Sequence, residues 1–447
     1  MRRALLFVPA LLLASQLATA LEDPAARTRT TVLDNGLRIL TLEDRTTPVV
    51  SYQTWVDVGS GDEARWTGLA HLFEHMMFRG SKRVPGEQRD ALLRERGARG
   101  NAYTSSDVTV YFEDTSAEHL PLVIELEAER FRNLVISPEV LETERQVVLE
   151  ERRMRTEDNP RGRMIEALLS LTFVAHPYRT PTIGWASDVE RVGVEPCLDF
   201  FRTYYVPNNV VISIAGDFDA EDAIARIRAH YGAWPRAAEP LRNPTREPPQ
   251  SGERRAVVHL PVRAPLVGTA WHAPASGHAD GPALDVLSEI LSSGRTSRLQ
   301  RKLVYEEQQA LSAYGGYWEL RHAGLFYAGV GVRPGQEVAR SEALLFAEIE
   351  RLRAAPPTAQ ELEKAKRGYE VSLLGNLGTA NALASRNAEE LLTFGRIRPL
   401  EERLARIREV EAEDVQRVAQ TYLLPEKRSV VHVLPGAGDG GNGGGAR

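Results

Sequence analysis

The chain has 447 residues, 43% of them hydrophobic and 26% charged, with a formal net charge of −6. That is globular composition with room for two or more domains, and it excludes a disordered or fibrous protein. Arg is frequent but interleaved with Glu, so there is no electrostatic case for nucleic acid, and the single cysteine, Cys197, excludes an intramolecular disulfide or a cysteine-rich zinc module.

Arg2 and Arg3 precede an apolar run over 4–17, and Ala18-Thr19-Ala20 offers a small-x-small cleavage site, so residues 1–20 read as a secretory signal peptide. No lipidation cysteine follows, and no later stretch is apolar enough to span a membrane. The sequence therefore predicts an exported chain, periplasmic or secreted, without a stable membrane span. Residues 30–42 alternate around Asp34-Asn35-Gly36, a hairpin signal because both turn positions tolerate positive φ. Periodicity next predicts a strand over 49–58, a helix over 67–78, a short helix over 88–96, one strand over 101–112, and helices from 117 to about 171. Residues 188–217 read as a helix, a turn at Pro207-Asn208-Asn209 and a buried strand over 210–215, and a further helix runs to 231.

Between 234 and 252 the composition shifts to Pro, Arg, Glu and Ser, which marks an interdomain linker. Beyond it the order repeats: strands over 256–270, helices from 281, strands over 312–332 and helices to 422. Thr203-Tyr204-Tyr205-Val206-Pro207 matches Thr421-Tyr422-Leu423-Leu424-Pro425, and Val192 against Val410 keeps the same offset. The expected fold is α+β, made of two tandem homologous domains over 25–233 and 253–435, each a mainly antiparallel sheet with helices packed on one face. The Gly-rich tail 436–447 cannot bury enough to order itself.

The chemistry concentrates in the helix over 67–78. Residues three or four apart share a helical face, so His71, Glu74 and His75 project together from an otherwise apolar segment, where polar groups are costly to bury without a partner. Neutral imidazole suits zinc, and a catalytic zinc takes three protein ligands and leaves the fourth position to water. The third ligand is sought on the carboxylate-rich helix over 138–155, where Glu144 and Glu151 lie two turns apart on one face. Periodicity alone leaves Glu150 and Glu151 both open. With Glu151 as ligand, Glu144 can orient a histidine N–H from behind. Glu74, beside a ligand, is placed to take a proton from water and pass it to a leaving amine, which is peptide-bond hydrolysis.

His71-Leu72-Phe73-Glu74-His75 follows the H-x-x-E-H inverzincin pattern. On the segment Gly68-Leu69-Ala70-His71 through Gly80, and on Val147-Val148-Leu149-Glu150-Glu151, the chain resembles the pitrilysin/insulinase family of zinc peptidases, particularly its short two-domain branch that includes the mitochondrial processing peptidase. Asn101-Ala102-Tyr103-Thr104, Pro177-Tyr178 and Tyr205-Val206-Pro207-Asn208-Asn209 are similar to further stretches of that family. The resemblance implies one Zn2+ per chain, held by His71, His75 and Glu151, with Glu74 as general base and Glu144 behind the ligands. It thereby chooses Glu151 over Glu150. It also implies that Asn101, Ala102, Tyr103 and Thr104 bind substrate from an edge strand, to which an extended peptide adds as another strand.

The implied protein is a zinc metalloendopeptidase whose two halves close as a clamshell around peptides or unstructured polypeptides. The alternative is a noncatalytic peptide-binding or assembly subunit, against which the intact Glu74 argues. One departure matters. Active members of the family carry in the second domain an Arg followed seven residues later by a Tyr; here Val304 and Leu311 take those places, with Arg298, Arg301 and Tyr314 nearby as the substitutes a self-sufficient enzyme would use. This implies a dimer, in particular a heterodimer with a related subunit that supplies the Arg/Tyr pair.

Overall fold

The computed structural model describes residues 23–243 and 245–436, so the signal-peptide expectation (1–20) and the tail beyond Gly436 lie outside the described residues. Among the described residues no helix is long and apolar enough to cross a membrane.

The first half builds a six-stranded sheet from β1 (Arg29–Val32), β2 (Arg38–Glu43), β3 (Val49–Val56), β4 (Arg99–Thr104), β5 (Thr109–Ser116) and β6 (Val210–Gly216), in spatial order β1-β2-β6-β3-β5-β4. The second builds a five-stranded sheet from β7 (Arg254–Leu260), β8 (Leu266–Ala273), β9 (Ala310–Trp318), β10 (Gly324–Val332) and β11 (Arg428–Pro435), in order β7-β11-β8-β10-β9. β1 aside, the two orders coincide. Each sheet has one parallel pair, β2 with β6 and β7 with β11, and is otherwise antiparallel. The repeated segments also coincide in structure: helix Val194–Tyr204, turn Pro207–Asn209 and β6 answer to helix Ala412–Tyr422, turn Pro425–Lys427 and β11.

The β1–β2 hairpin turns at Gly36, whose φ of 89° and close approach to Asn208 leave no room for a side chain. The single strand expected over 101–112 is instead two, β4 and β5, which pair antiparallel. The Ser105 N–H donates to the Val108 carbonyl at 2.8 Å and Ser105 Oγ accepts the N–H groups of Asp107 and Val108 at 3.2 and 3.1 Å, which together close the turn. The reversal falls on the polar run Thr104-Ser105-Ser106-Asp107, which contains no Gly or Pro to mark it.

Within each half the helices cover one sheet face. Val50, Tyr52, Val56, Ile212 and Ile214 pack with Leu72, Phe73, Val123, Phe131 and Phe200, while Trp271, Phe326 and Val330 pack with Leu284, Leu287, Ile349 and Val418. The other face of each sheet is covered by a helix from the opposite half. Ala384 and Ala388 of helix Ala380–Phe394 lie on Leu42, Ala215, Leu40 and Val211, whereas Met164 and Leu168 of helix Pro160–Thr172 lie on Ala270, Val431 and Val433. This exchange explains why β6 is buried along its whole length, with its one polar side chain, Ser213, donating to the Ala384 carbonyl at 2.7 Å.

No residue described within 234–252 belongs to a helix or strand. The stretch is nonetheless tied down. Arg242 donates to Asp57 and Asn209, both at 2.9 Å, and the Glu247 carboxylate accepts the N–H groups of Val174, Ala175 and His176 at 2.8–2.9 Å. Arg321, in the β9–β10 loop, pairs with Asp57 at 2.5 Å and joins the halves directly.

Candidate metal centre

The helix carrying His71, Glu74 and His75 spans Leu69–Met76. Its start is set by Gly68, at φ 82°, where a Cβ would fall 2.5 Å from the Ile183 carbonyl oxygen. The first-turn N–H groups of a helix lack intrahelical acceptors, and here Glu63 supplies them, accepting from Gly68 N at 2.8 Å and Ala70 N at 2.7 Å. Burial pushes the Glu63 carboxyl up to about 8, against the pull of those two N–H groups. Just upstream, Asp188 accepts from Thr67 N and Oγ1 at 3.2 and 2.6 Å. The helix therefore enters the core in one position.

Helix Pro138–Arg152 brings the carboxylates. Glu151 Oε2 stands 3.7 Å from His71 Nε2 and 3.2 Å from His75 Nε2. One ligand atom from each of the three residues falls within 4.8 Å of the others. Glu144 Oε2 lies 3.4 Å from His75 Nδ1, and its other oxygen receives Arg79 Nε. Glu150 turns outward and pairs with Arg153 at 2.5 and 2.9 Å. The far oxygen of Glu151 is held by Arg155 Nη1 at 2.5 Å, from the π-helical turn Arg153–Glu157 that follows.

Burial, and after it the neighbouring His75, pushes the His71 imidazole down to about 4. Burial acts on His75 in the same sense but is outweighed by Glu144 and Glu151, which hold it up at about 9. Glu74 is 8% exposed; burial raises its carboxyl above the ordinary range, partly offset by the Thr104 hydroxyl, which donates to Oε2 at 2.6 Å. Two imidazole nitrogens and one carboxylate oxygen converging from two helices fit a tetrahedral zinc, whose ligand atoms stand about 3.3 Å apart and whose fourth position stays open. The donors approach from the protein side of a cavity of about 560 Å3, to whose lining Glu74 and Asn101, Ala102, Tyr103 and Thr104 also belong.

Those four residues form most of β4, the outer strand of the first sheet. Thr104 faces Glu74, and the Tyr103 ring meets Trp55 edge-on at 6.2 Å. The second half contributes none of the residues lining this cavity among those described. Val304 packs toward the second core, and Leu311 is 56% exposed on β9. Arg298 is engaged by Glu361 at 2.7 and 2.9 Å, Arg301 by Glu306 at 3.4 Å, and Tyr314 lies beneath Arg161.

Glu63, Arg79 and Arg155 are site residues that the sequence reading did not single out. A signal existed for two of them: Arg79 and Arg155 each follow a metal-facing residue, His75 and Glu151, by four positions, one helical turn. Glu63 lies in a loop, and no periodicity points to it.

Residues 38–185 match the family described as Insulinase (Peptidase family M16), and residues 194–369 match the Peptidase M16 inactive domain. The chain is 30% identical over 415 residues to zinc protease PqqE of Helicobacter pylori, covering 90% of this chain and 92% of that protein. It is 24% identical over 429 residues to the probable mitochondrial-processing peptidase subunit beta of Arabidopsis thaliana, covering 92% and 79%. A solved structure of a protease from Helicobacter pylori superposes with a TM-score of 0.87 at 28% identity, covering 91% of this chain and 99% of that one.

Proposed function

The chain belongs to the insulinase family of peptidases, family M16, and on that premise we propose that it is a zinc-dependent endopeptidase acting on peptides or unstructured polypeptides. The convergence of His71, His75 and Glu151 beside the buried Glu74 carries this reading. One zinc per chain would be held by His71 Nε2, His75 Nε2 and Glu151 Oε2. Bound there, zinc supplies Lewis acidity, polarising the scissile carbonyl and lowering the pKa of water toward neutrality.

The chain's own residues do the rest. Glu144 fixes the His75 ring through Nδ1, so that Nε2 points to the site, and Arg79 neutralises Glu144 from behind. Arg155 occupies one oxygen of Glu151 and leaves the other for the metal. Glu74, with a carboxyl raised toward neutral pH, accepts the proton of the attacking water and delivers it to the leaving amine. The free edge of β4 pairs with the peptide main chain, which gives affinity with little sequence preference.

Substrate contacts across from the metal are proposed to come from a related partner subunit, since Val304 and Leu311 carry no such chemistry and Arg298 is engaged elsewhere. Export to the periplasm or medium belongs to the same proposal and rests on the character of residues 1–20.

The test is zinc content by elemental analysis together with hydrolysis of quenched peptides, for wild type and Glu74→Gln. Retained zinc with turnover reduced by about 10²–10⁴-fold is expected. Equal turnover in both forms removes Glu74 from the chemistry, and a zinc-loaded wild type inert toward every peptide, alone or with a co-expressed homologue, makes the chain a noncatalytic subunit.

A further inference from the structure

Helix Pro160–Thr172 covers the second sheet incompletely. Between them a cavity of about 380 Å3 remains, walled by Leu168, Tyr314, Trp318, Leu325 and Tyr327, and Arg161 is the one charged residue in its mainly apolar and aromatic lining. The Arg161 guanidinium is turned to the wall, 4.5 Å over the Tyr314 ring. Ile165 and Trp318, at the cavity, are 43% and 40% exposed, although each could bury its apolar surface in a core. A volume of this size lies within the range that takes small ligands and exceeds the needs of a single water.

Two shared wall residues link the cavity to the metal centre. Trp318 also lines the neighbouring recess, which holds Trp55, Tyr103 and Glu389, and Tyr103 in turn lines the metal cavity beside Glu74. The metal cavity beside β4, the recess and the aromatic wall of β9 and β10 therefore follow one another through the side chains of Tyr103 and Trp318.

We propose that this cavity is a substrate subsite, remote from the scissile bond, that takes one large apolar side chain of the peptide, aromatic in preference to aliphatic. This deepens the peptidase reading and rests on it. A peptide paired with the β4 edge is held through its main chain, so discrimination falls to side-chain pockets along its path. An extended peptide advances about 3.3 Å per residue, and a subsite separated from the metal by a whole recess is reached several residues from the cleaved bond. Aromatic walls and the absence of a carboxylate in the lining select an uncharged ring over a basic side chain.

The test uses zinc-loaded full-length protein and a quenched-peptide series in which a single Phe, Leu, Ala or Lys is stepped along an otherwise constant sequence, with cleavage sites mapped by mass spectrometry. The expected result is one position, at least three residues from the cut, where Phe exceeds Ala by roughly 10- to 100-fold in kcat/KM, chiefly through KM. Ile165→Asp and Trp318→Ala, both at exposed positions, should each bring that ratio down to within about threefold of unity. No remote preference in wild type, or a preference that survives both substitutions, overturns the subsite. If no peptide is cleaved, either by the chain alone or with a co-expressed homologue, the peptidase reading has failed instead, and the subsite is then decided by binding of the same peptides to wild type and Ile165→Asp by fluorescence anisotropy: Phe-selective binding lost in the variant supports it, and equal binding overturns it.

Discussion

Strands β4 and β9 hold the same place in the two sheets, each the outer strand paired to its neighbour, β5 or β10. Their free edges have opposite fates. Beside β9 the helix Gly281–Ser292 and the turn after it lie close, and side chains close the edge: Gln300 donates to the Ala313 carbonyl at 2.7 Å, Ser292 to the Gly315 carbonyl at 2.5 Å, and Tyr317 N donates to Ser288 Oγ at 2.8 Å. β4 makes, among the described residues, no bond beyond its β5 ladder except that from Thr104 Oγ1 to Glu74. The helices that precede the two strands differ in the same sense. Gly281–Ser292 buries Leu284, Val286, Leu287, Ile290 and Leu291 and carries no histidine, whereas Leu69–Met76 buries His71 and Glu74 among its apolar residues. One scaffold thus appears twice, once with an open edge beside a polar cluster and once as a sealed wall.

The sharpest way to break this contrast is to remove a proposed ligand. His71→Ala should reduce zinc to background by elemental analysis and abolish hydrolysis; zinc retained at the wild-type level would mean that the metal lies elsewhere. A smaller effect is expected behind the ligands. Glu144→Gln leaves His75 without its charged partner and should weaken zinc by about 10- to 100-fold, read by chelator competition.

Smaller again is the effect of the contact that joins the open edge to the base. The Thr104 hydroxyl lowers the Glu74 carboxyl, so Thr104→Val should raise it further. A base acts only when deprotonated, so the acid limb of kcat/KM moves to higher pH; a limb that stays in place or moves down contradicts the role given to Glu74. The least effect on activity should come from the sealed edge. Ser288→Ala leaves Tyr317 N without its acceptor and should cost about 1–2 kcal/mol in denaturant unfolding, with zinc content and turnover unchanged. A gain or loss of turnover there would mean that the main-chain edge of β9 also pairs with the peptide.

Much of the architecture was legible because it rests on local signals. The 3.6-residue period put His71, Glu74 and His75 on one face, and the Thr203–Pro207 segment recurring at Thr421–Pro425 pointed to two like halves, which the matching strand orders show. The β4–β5 reversal was missed because Ser105, through its backbone and its side chain, closes the turn without any Gly or Pro. The linker was read as a spacer from its prolines, yet Arg242 and Glu247 fasten it, and composition says nothing about such distant partners.

By itself, then, the sequence determined what lies within one helical turn or one repeat: the polar triplet of the Leu69–Met76 helix, the duplication, and two carboxylate candidates at adjacent positions. The family resemblance had chosen Glu151 between them; only the tertiary structure decided how Glu151 meets both histidines across two helices while Glu150 pairs with Arg153 at the surface, that Glu63 caps the histidine helix, and that each half lends a helix to the other's sheet. The physical reason is range. Helical spacing acts between neighbours and can be read along the chain, whereas the orientation of one helix toward another is set by packing among residues far apart in sequence, which no local period records.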